Sequence, residues 1–104
     1  MSNSEQINNT SYYQLPCGKF LEDFIFFKGL NFNMGSALKY IWRAGKKDGE
    51  SKEKDSAKAE HYIRFEAKCQ GYCYLDGKED EKGIAMIRKY VEQLIDEAER
   101  WDGQ

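Results

Sequence analysis

The sequence predicts an all-α fold, a small bundle of about four helices. In four segments of the 104-residue chain, apolar side chains recur at the three- and four-residue intervals of an amphipathic helix. A glycine follows each of the first two segments, at a place where it can end a helix. Polar loops separate the other segments, and only near residues 71–78 does the pattern suggest a short β-hairpin.

The chain is long enough for one core and too short for two. Residues 1–10 are polar and lack helical periodicity, so we expect them to form a disordered tail before a single helical domain over residues 11–104. That domain begins with Ser11–Pro16, which contains the one proline of the chain and is expected to run extended over the domain. Tyr12 and Tyr13 in this segment either cover the core or line a site.

The first helix is predicted over Lys19–Lys28 and ends at Gly29. Its apolar residues span an arc too wide for a single stripe, so we expect this helix to be buried over much of its circumference. Those residues are Phe20, Leu21, Phe24, Ile25, Phe26 and Phe27. A short connection leads into the second helix, which gives a tight helical hairpin.

The second helix is predicted over Met34–Ala44, with Asn33 as its N-cap and Gly45 at its end. One face is apolar and packs into the core, while the opposite face is polar and partly basic. The apolar face holds Met34, Ala37, Leu38 and Ile41, and the opposite face holds Ser36, Lys39, Tyr40 and Arg43. With Lys46 and Lys47 beyond the helix end, the basic edge is either a phosphate-binding surface or a solvated face whose cations offset the helix dipole.

The third helix is predicted over Asp55–Cys69, after a polar loop over Lys46–Lys54 that could close over a ligand. Its inward arc contains both apolar and charged residues. The apolar ones are Ala59, Tyr62, Ile63, Phe65 and Cys69, and the charged ones are Asp55, Lys58 and Glu66. His61 points away from the centre of this arc, so we interpret it as a surface residue.

A charge on a packing face requires a partner, which leaves two interpretations of Asp55. In the first, Asp55 caps the third helix and pairs with a lysine near the loop. In the second, Asp55 and Lys58 face the same pocket as Lys39 and Arg43.

The last helix is predicted over Glu81–Trp101, after an aromatic loop with a tight turn at Asp76–Gly77. Its apolar stripe is the most regular in the chain and either completes the core or pairs with a second copy. The stripe consists of Ile84, Ile87, Val91, Leu94, Ile95, Ala98 and Trp101. We expect a homo-oligomer that assembles through this 81–101 helix.

Composition excludes several classes of protein. A net charge of −2 gives no general attraction for nucleic acid, which is therefore not an expected partner. The apolar run Phe24–Phe27 is far shorter than a membrane span and the amino terminus has no signal pattern, so we expect a cytoplasmic protein without a membrane partner. The spacing of Cys17, Cys69 and Cys73 with His61 matches no common zinc framework, so no zinc is expected.

The run GLNFNMGSALKYIWRAGKK over residues 29–47, followed by Asp55, Lys58, Ala59 and Tyr62, resembles a small phage-encoded domain often labelled nucleotide kinase-like. The resemblance extends over residues 11–63, about half of the chain. It implies a nucleotide ligand and, for a phage protein, a location in the host cytoplasm.

The sequence departs from that family's pattern at three places. Tyr12 stands where the family usually has histidine, and Ser36 stands where it usually has asparagine. Ser56 replaces the leucine that usually follows the aspartate at position 55. Any chemistry that depends on the histidine or the asparagine is therefore not implied for this chain.

The favoured hypothesis is a protein that holds a nucleotide or a nucleotide-derived signal, for sequestration in counter-defence or for nucleotide sensing. Such a protein needs cations for the phosphates and rings for the base, and it needs no catalytic acid or base. The candidate ligand-binding residues are Tyr12, Tyr13, Ser36, Lys39, Tyr40, Arg43, Lys46, Lys47, Lys58 and Tyr62.

Two alternatives belong to other classes of protein. The first is a nucleoside monophosphate kinase or another magnesium-dependent phosphate enzyme, with Mg²⁺ as cofactor and Asp55 as metal ligand. The sequence contains neither a GxxxxGK[ST] loop nor a kinase glycine-rich loop, so the donor site of such an enzyme would need another origin. The second alternative is an inhibitor of a host enzyme that acts through the acidic and aromatic surface of residues 72–81.

Overall fold

The computed structural model describes residues 11–46, 49 and 51–104, and in this part of the chain the fold is all-helical, as predicted. Four α-helices and one short 3-10 helix form its regular structure, and no strand occurs among the described residues. The 3-10 helix spans Ser11–Tyr13, and the α-helices are α1 (Leu21–Lys28), α2 (Phe32–Arg43), α3 (Lys52–Cys69) and α4 (Glu81–Arg100). The predicted tail over residues 1–10 lies outside the described residues.

The segment between the 3-10 helix and α1 turns back on itself. The Leu15 N–H donates to the Lys19 carbonyl oxygen at 2.7 Å, and the Gly18 N–H donates to the Leu15 carbonyl oxygen at 2.9 Å. Tyr13 and Leu15 are buried in the core. The predicted extended conformation is therefore wrong, because these local hydrogen bonds form a tight turn, but the segment does pack on the domain.

α1 packs on the core by one narrow side. It ends at Gly29, as predicted, and Gly29 has a left-handed conformation (φ 65°). Of its eight residues only Leu21 and Phe24 are buried, whereas Phe26 is 88% exposed and Phe27 is 54% exposed. The prediction that this helix is buried over much of its circumference is wrong, because no other described element covers its outer side.

α2 begins two residues before the predicted start. Asn31 is the N-cap, and its side-chain oxygen accepts a hydrogen bond from the Met34 N–H at 2.9 Å. Asn33, which the sequence suggested as the cap, lies in the first turn and donates through its side-chain amide to Glu66 Oε1 at 3.2 Å. Either asparagine can cap a helix, so the choice depends on a partner in α3 that local spacing does not reveal. Gly45 has φ 79° just beyond α2, as predicted.

Glu66 joins the start of α2 to the end of α3. It is 4% exposed and accepts hydrogen bonds from the side-chain amides of Asn31 (3.1 Å), Asn33 (3.2 Å) and Gln70 (2.6 Å). Burial acts to raise the pKa of Glu66, but these hydrogen bonds outweigh burial and hold the pKa below its ordinary value. Glu66 on the inward arc of α3 is thus stabilised by neutral side-chain amides and not by a cation.

α3 begins three residues before the predicted start, with Ser51 as its N-cap. Ser51 Oγ accepts from the Lys54 N–H at 3.0 Å, so Asp55 lies within the helix and does not cap it. Ala59 and Ile63 are buried as predicted.

Two members of the predicted inward stripe of α3 face solvent instead. Phe65 is 48% exposed and Cys69 is exposed, while Ala67 is fully buried. Small alanines let α3 approach its neighbours closely, and the larger aromatic ring is left at the edge of the contact. His61 is exposed, which confirms its interpretation as a surface residue.

The segment between α3 and α4 forms a minimal hairpin. The Tyr74 N–H donates to the Lys78 carbonyl oxygen at 2.8 Å, and Gly77 has φ 85° at the predicted turn. A single bridge pairs Cys73 with Glu79, so this feature is one bridge and a turn rather than a pair of strands.

α4 completes the core with the stripe that the sequence predicted. All five central stripe residues are at most 6% exposed, and Ile95 and Trp101 pack partly buried beside them. The five are Ile84, Ile87, Val91, Leu94 and Ala98. Because the chain's own core occupies this stripe, the predicted homo-oligomer through the 81–101 helix would have to use other residues of α4.

An ion-pair network fastens α4 and the hairpin to α3. Glu60 accepts from Arg64 Nε at 2.8 Å and from Arg88 Nη2 at 2.5 Å, which links α3 to α4. Arg64 also pairs with Glu79 and Glu81. Burial acts to raise the pKa of Glu60, but its bonds to Arg88 and Arg64 lower it further than burial raises it.

Among the described residues, no helix has both the length and the apolar composition of a membrane span.

Candidate functional site

Arg43, Asp55 and Tyr13 form a buried polar contact where α2, α3 and the 3-10 helix meet. Arg43 is the last residue of α2 and is 8% exposed, and Asp55 is fully buried. The Nε and Nη2 atoms of Arg43 donate to Asp55 Oδ1 at 3.2 and 3.0 Å, and Nη1 donates to the Tyr13 hydroxyl at 3.2 Å. The guanidinium is therefore occupied by partners within the chain.

At neutral pH Arg43 is a cation and Tyr13 is a neutral phenol. Burial acts to lower the pKa of Arg43, but its hydrogen bonds to Asp55 and Tyr13 outweigh burial and raise it above the ordinary value. For Tyr13, burial outweighs the neighbouring cation and raises the pKa, so this side chain remains a neutral phenol. Asp55 Oδ2 has no hydrogen-bond partner among the described residues.

The structure corrects the position predicted for Arg43. The sequence placed its side chain on the ligand-facing side of the helix beside Lys39. The observed side chain turns inward instead, because Asp55 lies in α3 at hydrogen-bonding distance and offers a buried charge that needs a cation. Of the two interpretations of Asp55, the capping role is wrong. Asp55 does lie beside Arg43, as the second interpretation stated, but in the interior and not in a pocket that it shares with Lys39 and Lys58.

A tyrosine–lysine cluster lies over this buried pair and consists of Tyr13, Lys39, Tyr40, Lys58 and Tyr62. Lys39 Nζ lies 5.4 Å from the centroid of the Tyr13 ring, and Lys58 Nζ lies 5.3 Å from that of Tyr40. The Tyr40 and Tyr62 rings are almost parallel, at 7°, with centroids 6.0 Å apart. Each lysine is thus within the range of a cation–π contact with a tyrosine.

Local helix geometry and the buried pair together position this cluster. Lys39 and Tyr40 lie one helical turn before Arg43 in α2, and Lys58 and Tyr62 are four residues apart on one side of α3. The Arg43 guanidinium lies 4.7 Å from the Tyr40 ring centroid and holds the ring from beneath. Tyr12 joins the end of the cluster through its ring, 4.6 Å from that of Tyr13.

The two lysines of the cluster carry charges that are not neutralised by carboxylates in the described part of the chain. Lys39 is exposed and Lys58 is half-buried, and neither forms an ion pair with another described residue. Such cations beside tyrosine rings can bind a phosphate and stack a planar group at the same place.

Lys46 and Ser36 lie apart from the cluster among the described residues. Lys46 Nζ lies 4.3 Å from the Trp42 ring centroid, beside a separate groove of about 430 Å³. Ser36 is half-buried on α2 and makes no side-chain hydrogen bond to a described residue. Lys47 lies outside the described residues. The groove beside Lys46 is lined by Gln14, Leu15, Pro16, Trp42, Lys46 and Glu99.

Asp55 does not fit the role of a magnesium ligand. Its Oδ1 atom accepts both hydrogen bonds from Arg43, its side chain is fully buried, and magnesium prefers several oxygen ligands together with water. Among the described residues no three His, Cys, Asp or Glu side chains are grouped as a metal site would require. Cys17, Cys69 and Cys73 are free thiols.

Sequence reasoning missed the aromatic residues that continue the cluster along α3. The Tyr62 ring contacts the rings of Phe32 (5.7 Å between centroids) and His61 (5.2 Å), and the His61 and Phe65 rings lie 6.4 Å apart. The four-residue interval from His61 to Phe65 was a signal for this neighbourhood, but Phe65 was assigned to the core.

A family model described as a protein of unknown function, DUF3310, matches residues 5–64 of the chain. The matched segment includes α1, α2 and most of α3, and therefore contains the whole tyrosine–lysine cluster. No curated protein and no solved structure matches the chain. The family description states no activity, so the resemblance to nucleotide kinase-like domains stays a prediction.

Proposed function

The chain belongs to the DUF3310 family, and we propose that it binds a nucleotide or a nucleotide-derived signal at the tyrosine–lysine cluster. The observation that carries the proposal is the placement of Lys39 and Lys58 on tyrosine rings, 5.4 and 5.3 Å from the ring centroids, without carboxylate partners in the described residues. Two cations and nearly parallel rings in one place match the phosphate and base of a nucleotide.

The roles of the candidate residues follow from their positions. Lys39 and Lys58 bind phosphate oxygens, and Tyr40 and Tyr62 stack the base. Arg43 is a positioning residue, because its guanidinium is held in the interior by Asp55 and Tyr13 and supports the Tyr40 ring. Lys46 has no role in this site, since it packs on Trp42.

The proposal stops at binding and includes no phosphoryl transfer. Transfer requires a metal held by carboxylates or hydroxyls and two aligned nucleotides. Asp55 was the candidate metal ligand of the kinase hypothesis, and its carboxylate is committed to Arg43 in the interior. A protein that holds its ligand without turnover suits sequestration or sensing.

Thermal stability of the purified protein with nucleoside mono-, di- and triphosphates and with cyclic nucleotides tests the proposal. A ligand at 100 times its dissociation constant adds about 2.7 kcal/mol to the free energy of unfolding, which is a clear shift of Tm for a domain of this size. Calorimetric titration then gives the Kd. We expect a selective shift that does not require magnesium.

Two variants locate the site. Lys39→Ala and Lys58→Ala each remove a charge-assisted contact of about 1.5–3 kcal/mol, so each should weaken binding roughly 10- to 150-fold. Lys89→Ala removes an exposed lysine of α4 and should leave the Kd unchanged. Wild-type affinity in both cluster variants, or no nucleotide that shifts Tm, would contradict the proposal. Phosphate transfer from ATP to a bound monophosphate would favour the kinase hypothesis instead.

A further inference from the structure

Four aromatic rings form a series that begins in the tyrosine–lysine cluster, at Tyr40 of α2, and continues along α3. We name this series the aromatic row; it consists of Tyr40, Tyr62, His61 and Phe65. Successive ring centroids are 6.0, 5.2 and 6.4 Å apart. His61 is exposed and Phe65 is 48% exposed, so the far end of the row faces solvent. A mononucleotide has one base and occupies one end of this row. Tyr40 and Tyr62 lie parallel at 7°, His61 meets Tyr62 edge to face at 79°, and the solvent-exposed sides of His61 and Phe65 remain accessible to further bases.

Cations accompany the row from end to end. Lys58 Nζ lies over the Tyr40 ring. At the other end, Lys68, Phe65 and His61 line a shallow cavity of about 230 Å³. Lys68 is exposed and, like Lys58, forms no ion pair with another described residue.

Two arginines offset most of the acidic charge near the far end of the row. Arg64 pairs with Glu60, Glu79 and Glu81, and Arg88 also pairs with Glu60. Three carboxylates and two guanidiniums leave one net negative charge in this network, so the two charges of Lys58 and Lys68 still give the border of the row a small positive excess although the chain carries a net charge of −2.

We propose that the aromatic row binds a single-stranded oligonucleotide, with one base at Tyr40 and Tyr62 and further bases on His61 and Phe65. This inference rests on the proposed function, since it extends the same site. Successive bases of a single strand stack on successive aromatic rings, and lysines beside the rings follow the phosphates. A duplex does not fit, because its bases already stack on one another and hide their faces.

The row also revises an expectation from the sequence. The net charge of −2 gave no reason to expect nucleic acid as a partner. The structure joins Tyr40 of α2 to three rings of α3, and so extends the tyrosine–lysine cluster. Rings carry the affinity of such a site, and two lysines at phosphates give it only a shallow salt dependence.

Calorimetric titration with thymidine monophosphate and with the unlabelled oligomers dT2, dT4 and dT6 tests the inference. We expect affinity to increase at least tenfold from the monophosphate to dT4 and then to level off, because four rings accommodate only a few bases. The corresponding uridine oligomers determine whether the site prefers DNA or RNA. A duplex long enough to stay paired at the temperature of the titration should bind no tighter than the monophosphate.

Phe65→Ala and His61→Ala test the far end of the row. Loss of one stacking platform should weaken dT4 binding roughly 5- to 150-fold and monophosphate binding by less. Phe65→Leu keeps an apolar side chain without an aromatic face and should weaken dT4 binding in the same way, which separates stacking from folding. Tyr90→Ala removes an exposed ring of α4 and serves as the matched control, with no change in either Kd.

The outcomes distinguish this inference from the proposed function. If the monophosphate binds and dT4 binds no tighter, the row is not an oligonucleotide site, while the nucleotide site remains. Equal losses of monophosphate and dT4 affinity in Phe65→Leu would also overturn the inference. If neither thymidine monophosphate nor dT4 binds, this inference fails, whereas the proposed function fails only if no nucleotide of the thermal-stability screen shifts Tm.

Discussion

The sequence identifies Arg43 as a cation near Lys39 and Tyr40, but it does not reveal that the Arg43 side chain is buried. The pattern of α2 correctly places Lys39, Tyr40 and Arg43 near one another, on the side that meets Tyr13 and α3. The Arg43 side chain turns inward because Asp55 is a buried carboxylate that requires a cation, and Arg43 is within hydrogen-bonding distance of it. Arg43, which the sequence suggested as a phosphate-binding residue, is therefore the buried cation that pairs with Asp55.

Arg43→Ala should destabilise the protein strongly. The substitution leaves Asp55 charged and buried without its cation, which costs about 3–5 kcal/mol in comparable buried pairs. Urea unfolding measures the change. Arg100→Ala is the matched control, since Arg100 pairs with Asp96 at an exposed position, where solvent screens the pair and the loss of stability should be small. A similar decrease in the free energy of unfolding in the two variants would show that the buried Arg43–Asp55 pair stabilises the protein no more than an exposed pair does.

Helix ends and helix faces differed in how well the sequence predicted them. The end of α1 at Gly29, the end of α2 at Gly45 and the span of α4 are correct, because glycine conformation and a regular stripe are local properties. The starts of α2 and α3 were displaced, since Asn31 and Ser51 compete with other good caps nearby. The inward face of α3 was partly wrong, because aromatic residues are apolar by composition yet lie at the edge here.

Gly83 in the first turn of α4 should resist replacement even though alanine is the better helix former. An added Cβ would lie 2.5 Å from the Cβ and Cδ1 atoms of Tyr72, whose ring packs on this glycine. Gly83→Ala in a helix ordinarily stabilises by about 0.5–1 kcal/mol, but overpacking of this kind costs about 1–3 kcal/mol. We therefore expect a lower urea midpoint for Gly83→Ala.

A second background shows whether the Tyr72 ring is the cause. In Tyr72→Ala the space beside Gly83 is open, so Gly83→Ala should there be neutral or stabilising. Destabilisation of the same size in both backgrounds would mean that the backbone of α4, and not the ring, rejects the alanine.

At the scale of the whole molecule, α4 determines whether there is a core at all. Ile84, Ile87, Val91 and Leu94 are each at most 6% exposed and pack among core residues of α1–α3. The sequence predicted this stripe but left open whether it faces the chain's own core or a second copy. Periodicity defines which residues share a face, whereas the partner of that face depends on how the other helices are arranged.

A fragment of residues 1–70, which lacks the hairpin and α4, should not unfold cooperatively. Without the α4 stripe its remaining helices cannot bury enough apolar surface to offset the loss of chain entropy. Far-ultraviolet circular dichroism during heating checks this, and a peptide of residues 79–104 added in trans should restore a cooperative transition. A sharp thermal transition of the fragment alone would contradict the prediction.

The position of α4 also divides the chain into two parts that depend on each other. The family segment over residues 5–64 carries the tyrosine–lysine cluster, while the apolar cover for its inner face is encoded after it. A truncated product that ended before α4 would keep every residue of the cluster and expose the apolar face beneath it to water. In this chain the support of the cluster therefore comes from a helix that lies beyond the family match.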